Sequence, residues 1–205
     1  KPQEALGYLD DAVDTLKRVL DRLGPRTPPT LREAAREQLA RSLIQLGRVH
    51  QGLGNTAAQE KALGDALTIS RLLDSRDIEA GARLALGQIA AGKGEHARAI
   101  EHLSQALTLA SRAANAGQLI SIHGALGRAY AGERRLDDAL ASYRQALKLV
   151  EDVRSQLQES DLRSGFLEDK QGLYQGAISV ALAASRPEEA FGFAGRTMVE
   201  FTNGV

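Results

Sequence analysis

The sequence contains no cysteine and no tryptophan, and its phenylalanines and tyrosines number only four each. Without cysteine the chain can form no disulfide, carry no catalytic thiol and offer no thiolate to a metal ion. This absence assigns no compartment by itself, because many proteins on either side of a membrane lack cysteine. The chain must therefore be stabilised by an ordinary hydrophobic core, for which 205 residues are sufficient.

The sequence also lacks an excess of charge and a long apolar run. Lys plus Arg and Asp plus Glu both total 26, so the strong positive field of a dedicated nucleic-acid binder is missing. No run approaches the ~18 apolar residues of a membrane span, and residues 1–11 have no apolar signal core. We therefore expect a soluble, cytoplasmic protein with no nucleic-acid or membrane partner. Because Lys1 opens the chain and Met198 is its only methionine, we expect a fragment of a larger protein.

Proline is scarce, and none occurs between Pro29 and Pro187. Ala, Leu, Arg, Glu and Gln are abundant, which favours helix over strand. The sequence therefore predicts an all-α protein of about nine helices. The predicted helices cover residues 3–23, 30–52, 56–74, 77–92, 95–115, 117–132, 136–159, 161–184 and 187–201.

Three sets of residues recur at intervals of 40, which indicates an internal repeat. They are Gly47, Gly87 and Gly127; Ala66, Ala106 and Ala146; and Leu63, Leu103 and Tyr143. A mid-helix glycine costs about 1 kcal/mol relative to alanine, so its recurrence needs a packing reason. Close approach of two helices, with the bulky residue filling the space over the glycine, supplies that reason. Each unit is predicted to be a helical hairpin, with Gly54 and Gly94 in left-handed positions at the ends of first helices.

This pattern resembles the tetratricopeptide repeat. The third copy fits best, with Leu126, Gly127, Tyr130, Ala139, Tyr143 and Ala146. The second copy has Ala90 where an aromatic residue is usual, and the first has Gln59 in place of a small residue. The resemblance implies an α-solenoid of antiparallel helix hairpins that winds into a right-handed superhelix, with longer helices than the family's common form.

We expect one array over residues 1–205. Residues 1–29 form a partial N-terminal repeat or cap, residues 40–159 form three 40-residue repeats, and residues 160–205 form an atypical helical pair. Residues 161–201 resemble the last helical pair before a CHAT domain, a caspase-like peptidase, in bacterial proteins. The matching elements are Phe166, Leu167, Tyr174, the RPEEAF turn at 186–191 and Arg196. The end of this region departs from that pattern, at Gly195, Met198 and the terminal TNGV.

The resemblance implies a concave groove, lined by first helices, that binds a peptide or a partner helix. The residues predicted to line it are Arg41, Gln45, Arg48 and Gln51, then Leu84, Gln88 and Ala91, then Ser121, Arg128 and Ala131. Arginine pairs bidentately with carboxylate, so Arg41, Arg48 and Arg128 favour an acidic or C-terminal peptide. The alternative is that these arginines only solvate a surface. The family's carboxylate clamp of Lys and Asn is absent, which argues against chaperone tails as the ligand.

No catalytic, metal or cofactor site is predicted. His96 and His102 lie on opposite faces of one predicted helix, and His50 and His123 are explained by packing. The segments GLGN and GKGE have neither the preceding strand nor the GK[ST] ending of a phosphate loop, so they are better explained as helix ends. Acidic doublets such as Asp137–Asp138 open helices, where they compensate the helix dipole. The sequence therefore predicts a non-enzymatic scaffold.

Three hypotheses for its role stay open. The leading one is an interaction module that recruits a protein partner or restrains an attached effector domain by intramolecular contact. The second is the ligand- or peptide-sensing arm of a bacterial signalling or transcriptional regulator. The third is the regulatory arm of a CHAT peptidase. Sequence downstream of Val205 would discriminate among them.

Overall fold

In a computed structural model of the protein, the described residues are 2–113, 115–156 and 170–202, with side chains described over 3–112, 115–156 and 170–195. This part of the chain contains nine α-helices and no strand. They are α1 (Pro2–Arg22), α2 (Pro29–Gly52), α3 (Thr56–Leu72), α4 (Arg76–Gly92), α5 (His96–Ala113), α6 (Ala116–Gly132), α7 (Leu136–Gln156), α8 (Gln171–Ala183) and α9 (Pro187–Thr202). The all-α prediction is confirmed. Residues 161–169 of the predicted eighth helix, including Phe166 and Leu167, lie outside the described residues.

The helices pack as successive antiparallel hairpins. Helix α2 packs against α3, α4 against α5, α6 against α7 and α8 against α9, while α1 packs against α2. The first helices of neighbouring hairpins also contact one another, from α2 to α4, from α4 to α6 and from α6 to α8. Stacking of one hairpin on the next is what defines a solenoid.

The recurring glycines lie where two helices of a hairpin come closest. A Cβ placed on Gly127 would lie 2.7 Å from Cε2 of Tyr143, a side chain that is only 2% exposed. The same relation holds between Gly47 and Leu63, and between Gly87 and Leu103, at 2.9 and 2.6 Å respectively. The predicted packing reason for the 40-residue period is therefore confirmed in all three units.

The turns inside the hairpins share one geometry. Gly54 and Gly94 adopt left-handed backbone angles, with φ of +74° and +77°, as the sequence predicts. In the third unit the equivalent position is Arg134, with φ of +58°. Each turn closes with the same backbone hydrogen bond, as when the N–H of Glu95 donates to the carbonyl of Ala90 at 2.9 Å. Because Arg134 is not glycine, its left-handed backbone conformation destabilises the folded state by about 1–2 kcal/mol.

The hydrophobic core runs along the stack as three clusters. One joins α1 to α4, the second joins α4, α5 and α6, and the third joins α6 to α9. Small residues dominate where helices cross, as at Ala40, Ala66 and Ala146, which are all fully buried. Among the described helices, none combines the length and apolar character required to span a bilayer.

Candidate functional site

Three first helices present equivalent residues on one face of the stack. Arg48 of α2, Gln88 of α4 and Arg128 of α6 follow one another at intervals of 40 residues. Helices in contact lie about 8–10 Å apart, so these three residues form a row that runs from one first helix to the next across the face. Arg48 and Arg128 are exposed and Gln88 is half-buried. The solenoid thereby aligns side chains that are 80 residues apart in sequence.

A cleft of about 520 Å³ opens on this face between the C-terminal halves of α2, α4 and α6. Its lining residues are Gln51, Gln88, Ala91, Gly92, His96, Ala125 and Arg128. Three polar residues that the sequence predicts for a groove, one from each unit, therefore meet in one cavity. Alanine and glycine form much of the remaining wall, so a ligand's backbone can approach closely.

Electrostatically the cleft is positive. Among the described residues that line it there is no Asp or Glu, and Arg128 brings a guanidinium to its edge. Within the described part of the chain, neither Arg128 nor the neighbouring Arg48 forms a hydrogen bond or ion pair. A guanidinium without an internal partner is available to a ligand carboxylate, which it can bind through two parallel hydrogen bonds.

Arg41 differs from these two arginines because its guanidinium is already paired. Its Nη2 lies 2.9 Å from Oε1 of Glu37 and 3.3 Å from Oδ2 of Asp77. The hydrogen bonds to Glu37 raise the pKa of Arg41 above its ordinary value. Arg41 therefore links α2 to α4 rather than presenting a free charge.

Asp77 also joins α4 to α6. Its Oδ1 accepts a hydrogen bond from Nδ2 of Asn115 at 3.0 Å, and its backbone carbonyl accepts one from Nε2 of Gln118 at 2.9 Å. Asn115 in turn caps α6 by accepting a hydrogen bond from the backbone N–H of Gln118. These contacts fix the spacing of the first helices that carry the cleft.

The other predicted groove residues, Arg41 and Arg48 included, are not among the residues that line the cleft. Gln45 and Ser121 are exposed, and the Ser121 hydroxyl donates to the carbonyl of Gly117 within its own helix at 3.0 Å. Ala131 is half-buried on α6. Leu84 is only 4% exposed, so the expectation that it faces the groove is wrong: it packs in the α4–α5–α6 core.

His96 is a cleft residue that sequence reasoning missed. It is the first residue of α5, and its ring packs directly over Gly132 at the end of α6. A side chain at position 132 would collide with the imidazole. The repeat of glycine at 52, 92 and 132 was the available signal, but a glycine at a helix end is ordinarily a cap.

The other histidines show no sign of a chemical site. Burial lowers the pKa of His102 and of His123 below the ordinary value, which favours the neutral form of both rings. In the described ranges, no group of three or more His, Cys, Asp or Glu side chains could hold a metal ion.

Comparison with known proteins supports this architecture. A family model of the tetratricopeptide repeat matches residues 78–152, which span the second and third units. No protein of curated function matches the sequence significantly. Among solved structures, BtubC from P. vanneervenii is 14% identical, with a TM-score of 0.58, over 99% of this chain and 92% of its own.

Two other structures have comparable scores. A crystal structure of MamA is 18% identical with a TM-score of 0.59, over 96% of this chain and 91% of its own. A putative kinesin light chain from Podosopora anserina with TPR-like repeats is 17% identical with a TM-score of 0.58, over 98% and 90%. Identities this low establish the fold alone. The chain is a tetratricopeptide-like α-solenoid, with a match to the tetratricopeptide repeat family over residues 78–152.

Proposed function

We propose that the chain is an interaction scaffold that binds a segment of a protein partner in the cleft between α2, α4 and α6. One observation carries the proposal: Gln51, Gln88 and Arg128, each from a different unit, line a single cavity. Solenoids of this class are known for peptide recognition on surfaces built from several repeats.

The proposed ligand is a short acidic segment in an extended conformation. Arg48 and Arg128 flank Gln88, so carboxylates of the ligand can pair at either edge while the amide of Gln88 bonds its backbone. Ala91 and Gly92 form part of the wall, and their small size lets the backbone of the ligand approach closely on that side. Arg41 has a positioning role in this proposal, through its ion pair with Asp77.

A cleft of this size and polarity fits weak and reversible binding. A few charge-assisted contacts with modest apolar burial correspond to micromolar affinity, about −8 kcal/mol. Such binding weakens as salt increases, because the two exposed guanidinium groups are screened.

The test is a selection of 12-residue peptides from a displayed library, followed by titration of the enriched peptides. We expect Asp and Glu to be enriched, and we expect Arg48→Glu/Arg128→Glu to lower affinity at least tenfold. The matched control is Lys61→Glu/Arg112→Glu, which makes the same charge change on exposed residues of α3 and α5. Equal losses in both variants, or peptides without acidic residues, would contradict the proposal.

We further propose that the array acts as the regulatory arm of a multidomain protein. Support comes from the resemblance of residues 161–201 to the helices that precede CHAT domains, of which Tyr174 and the turn at 186–191 fall in the described part. The alternative is the sensing arm of a bacterial signalling or transcriptional regulator. The residues after Val205 in the full-length protein decide between them: a His…Cys peptidase pattern supports the first, and a helix-turn-helix supports the second.

A further inference from the structure

The imidazole of His96 fills the space over Gly132, and this contact occurs at one of three equivalent glycines. A Cβ placed on Gly132 would lie 2.5 Å from both ring nitrogens of His96. At the equivalent helix ends, Gly52 and Gly92, a Cβ would meet nothing within 4 Å in the described part of the chain. The end of α6 therefore limits the positions that this ring can adopt.

The two ring nitrogens of His96 have different surroundings. Nδ1 is buried, and among the described residues it has no hydrogen-bond partner. The ring is only half-buried and lines the cleft, so its Nε2 edge is the one that a ligand can reach. A buried N–H without an acceptor is rarer and less favourable than a buried lone pair. This environment assigns the hydrogen of the neutral imidazole to Nε2, which makes His96 a hydrogen-bond donor towards the cleft.

A donor at His96 adds to the donors that the first helices bring to the cleft. Arg128 supplies a guanidinium, Gln51 and Gln88 supply amide groups, and no Asp or Glu is among the described lining residues. An imidazole N–H and a guanidinium that reach one cleft can each take an oxygen of the same carboxylate. Hydrogen bonds to an ionised acceptor are roughly twice as strong as those to a neutral one. The two residues together therefore favour a carboxylate over the corresponding amide.

We propose that His96 is a specificity-determining residue of the cleft, whose Nε2–H donates to a ligand carboxylate that Arg128 also binds. This inference rests on the function proposed above, because it concerns the same acidic segment. Gly132 has a positioning role, since a side chain there would displace the ring that carries the donor. One acidic residue of the ligand is read by this pair, and a second acidic residue that pairs with Arg48 does not depend on His96.

Titration of the tightest-binding acidic peptide from the selection into two variants of the 205-residue chain tests the proposal. His96→Phe keeps a ring over Gly132 but removes the N–H, and His96→Gln keeps a donor near the position of Nε2. We expect His96→Phe to lower the affinity about tenfold and His96→Gln to restore most of it. Equal affinities of wild type and His96→Phe would overturn the proposal, as would a His96→Gln variant as weak as His96→Phe.

Peptides in which one acidic residue at a time is replaced by its amide identify the carboxylate that is read. For wild type, one of these replacements should weaken binding most, and in His96→Phe the loss caused by that same replacement should shrink. The losses at the other acidic positions should be the same in both proteins. Losses that are identical at every position in the two proteins would contradict a contact between His96 and a carboxylate.

Gly132→Ala tests the positioning role, with Gly52→Ala at the equivalent helix end as its matched control. Gly132→Ala should weaken peptide binding because its Cβ displaces the imidazole, whereas Gly52→Ala should leave the affinity unchanged. In a His96→Ala background, Gly132→Ala should have no further effect. Equal affinities of Gly132→Ala and wild type would overturn this role. Circular dichroism confirms that each variant is folded.

Failure of this inference can be told apart from failure of the proposed function. If wild type binds the acidic peptide, Arg48→Glu/Arg128→Glu weakens it and His96→Phe does not, the role of His96 is wrong and the cleft proposal stands. If wild type binds no acidic peptide, both are wrong.

Discussion

Replacement of Gly127 by alanine tests the packing that generates the 40-residue period. The new Cβ would lie 2.7–2.9 Å from three ring atoms of Tyr143, where ordinary contacts begin at 3.4 Å. The ring must therefore move by about 0.7 Å to restore an ordinary contact. It has little room, because its hydroxyl lies directly over Gly176 of α8, where a Cβ would be 2.5 Å from it. One methyl group thus disturbs two hairpins.

Two opposing effects decide the magnitude for Gly127→Ala. Alanine in a helix interior gains about 0.5–1 kcal/mol over glycine. Overpacking of a tight core costs about 1–3 kcal/mol. We expect the free energy of unfolding to fall by about 1–2 kcal/mol, which lowers the melting temperature by roughly 2–8 °C for a chain of this length. Urea and thermal unfolding followed by far-UV circular dichroism measure both quantities.

The same substitution at Gly64 is the control. Gly64 is an exposed position in the interior of α3, and a Cβ there would meet nothing within 4 Å. Gly64→Ala should therefore stabilise the protein by up to about 1 kcal/mol. In a Tyr143→Ala background, Gly127→Ala should also become stabilising. If Gly127→Ala raised the stability of the wild-type protein as Gly64→Ala does, the packing explanation would be wrong.

Three further outcomes follow from particular contacts. Arg134→Gly should raise the free energy of unfolding by about 1 kcal/mol, measured by urea titration, because glycine adopts the left-handed angle without strain. Asp77→Ala should lower it by about 1 kcal/mol in the same assay, because the side-chain hydrogen bond from Asn115 is lost. Hydrogen bonds from Arg144 hold the pKa of Glu189 below its ordinary value of 4.5. The pair therefore stabilises the fold above pH 4.5, and this stabilisation is lost as the pH falls through the lowered pKa. In Arg144→Gln the free energy of unfolding should therefore fall less steeply as the pH drops below 4.5, while its pH dependence above pH 6 should change little.

The fold was predictable because the contact that defines each hairpin, between a glycine and a bulky residue, is local in sequence and is repeated. Gly127 and Tyr143 are 16 residues apart, within one hairpin, and the same pairing occurs in three units. A glycine that would be unfavourable in an isolated helix is informative when a bulky residue follows at constant distance. The turn glycines Gly54 and Gly94 were likewise predictable from their position after a helix.

The candidate site was predictable only in part, because it depends on contacts between hairpins. Helical periodicity places Arg41 on the same face as the other groove residues, but its pairing depends on Asp77, 36 residues away in the next unit. Leu84 has the right spacing for the groove and is nevertheless covered by the neighbouring first helix. His96 enters the cleft because Gly132 leaves space for its ring, a relation that no local pattern reveals.

Photo-crosslinking from inside the cleft tests the central claim most directly. Benzoylphenylalanine is introduced at Ala91, which lines the cleft, and separately at Ser104, an exposed position on α5 outside it. Each protein is irradiated with the tightest-binding acidic peptide from the selection. If the cleft holds the partner segment, the peptide crosslinks to position 91 and not to position 104, and Arg48→Glu/Arg128→Glu abolishes the product. A crosslink at position 104 alone, or equal yields at the two positions, would contradict binding in the cleft.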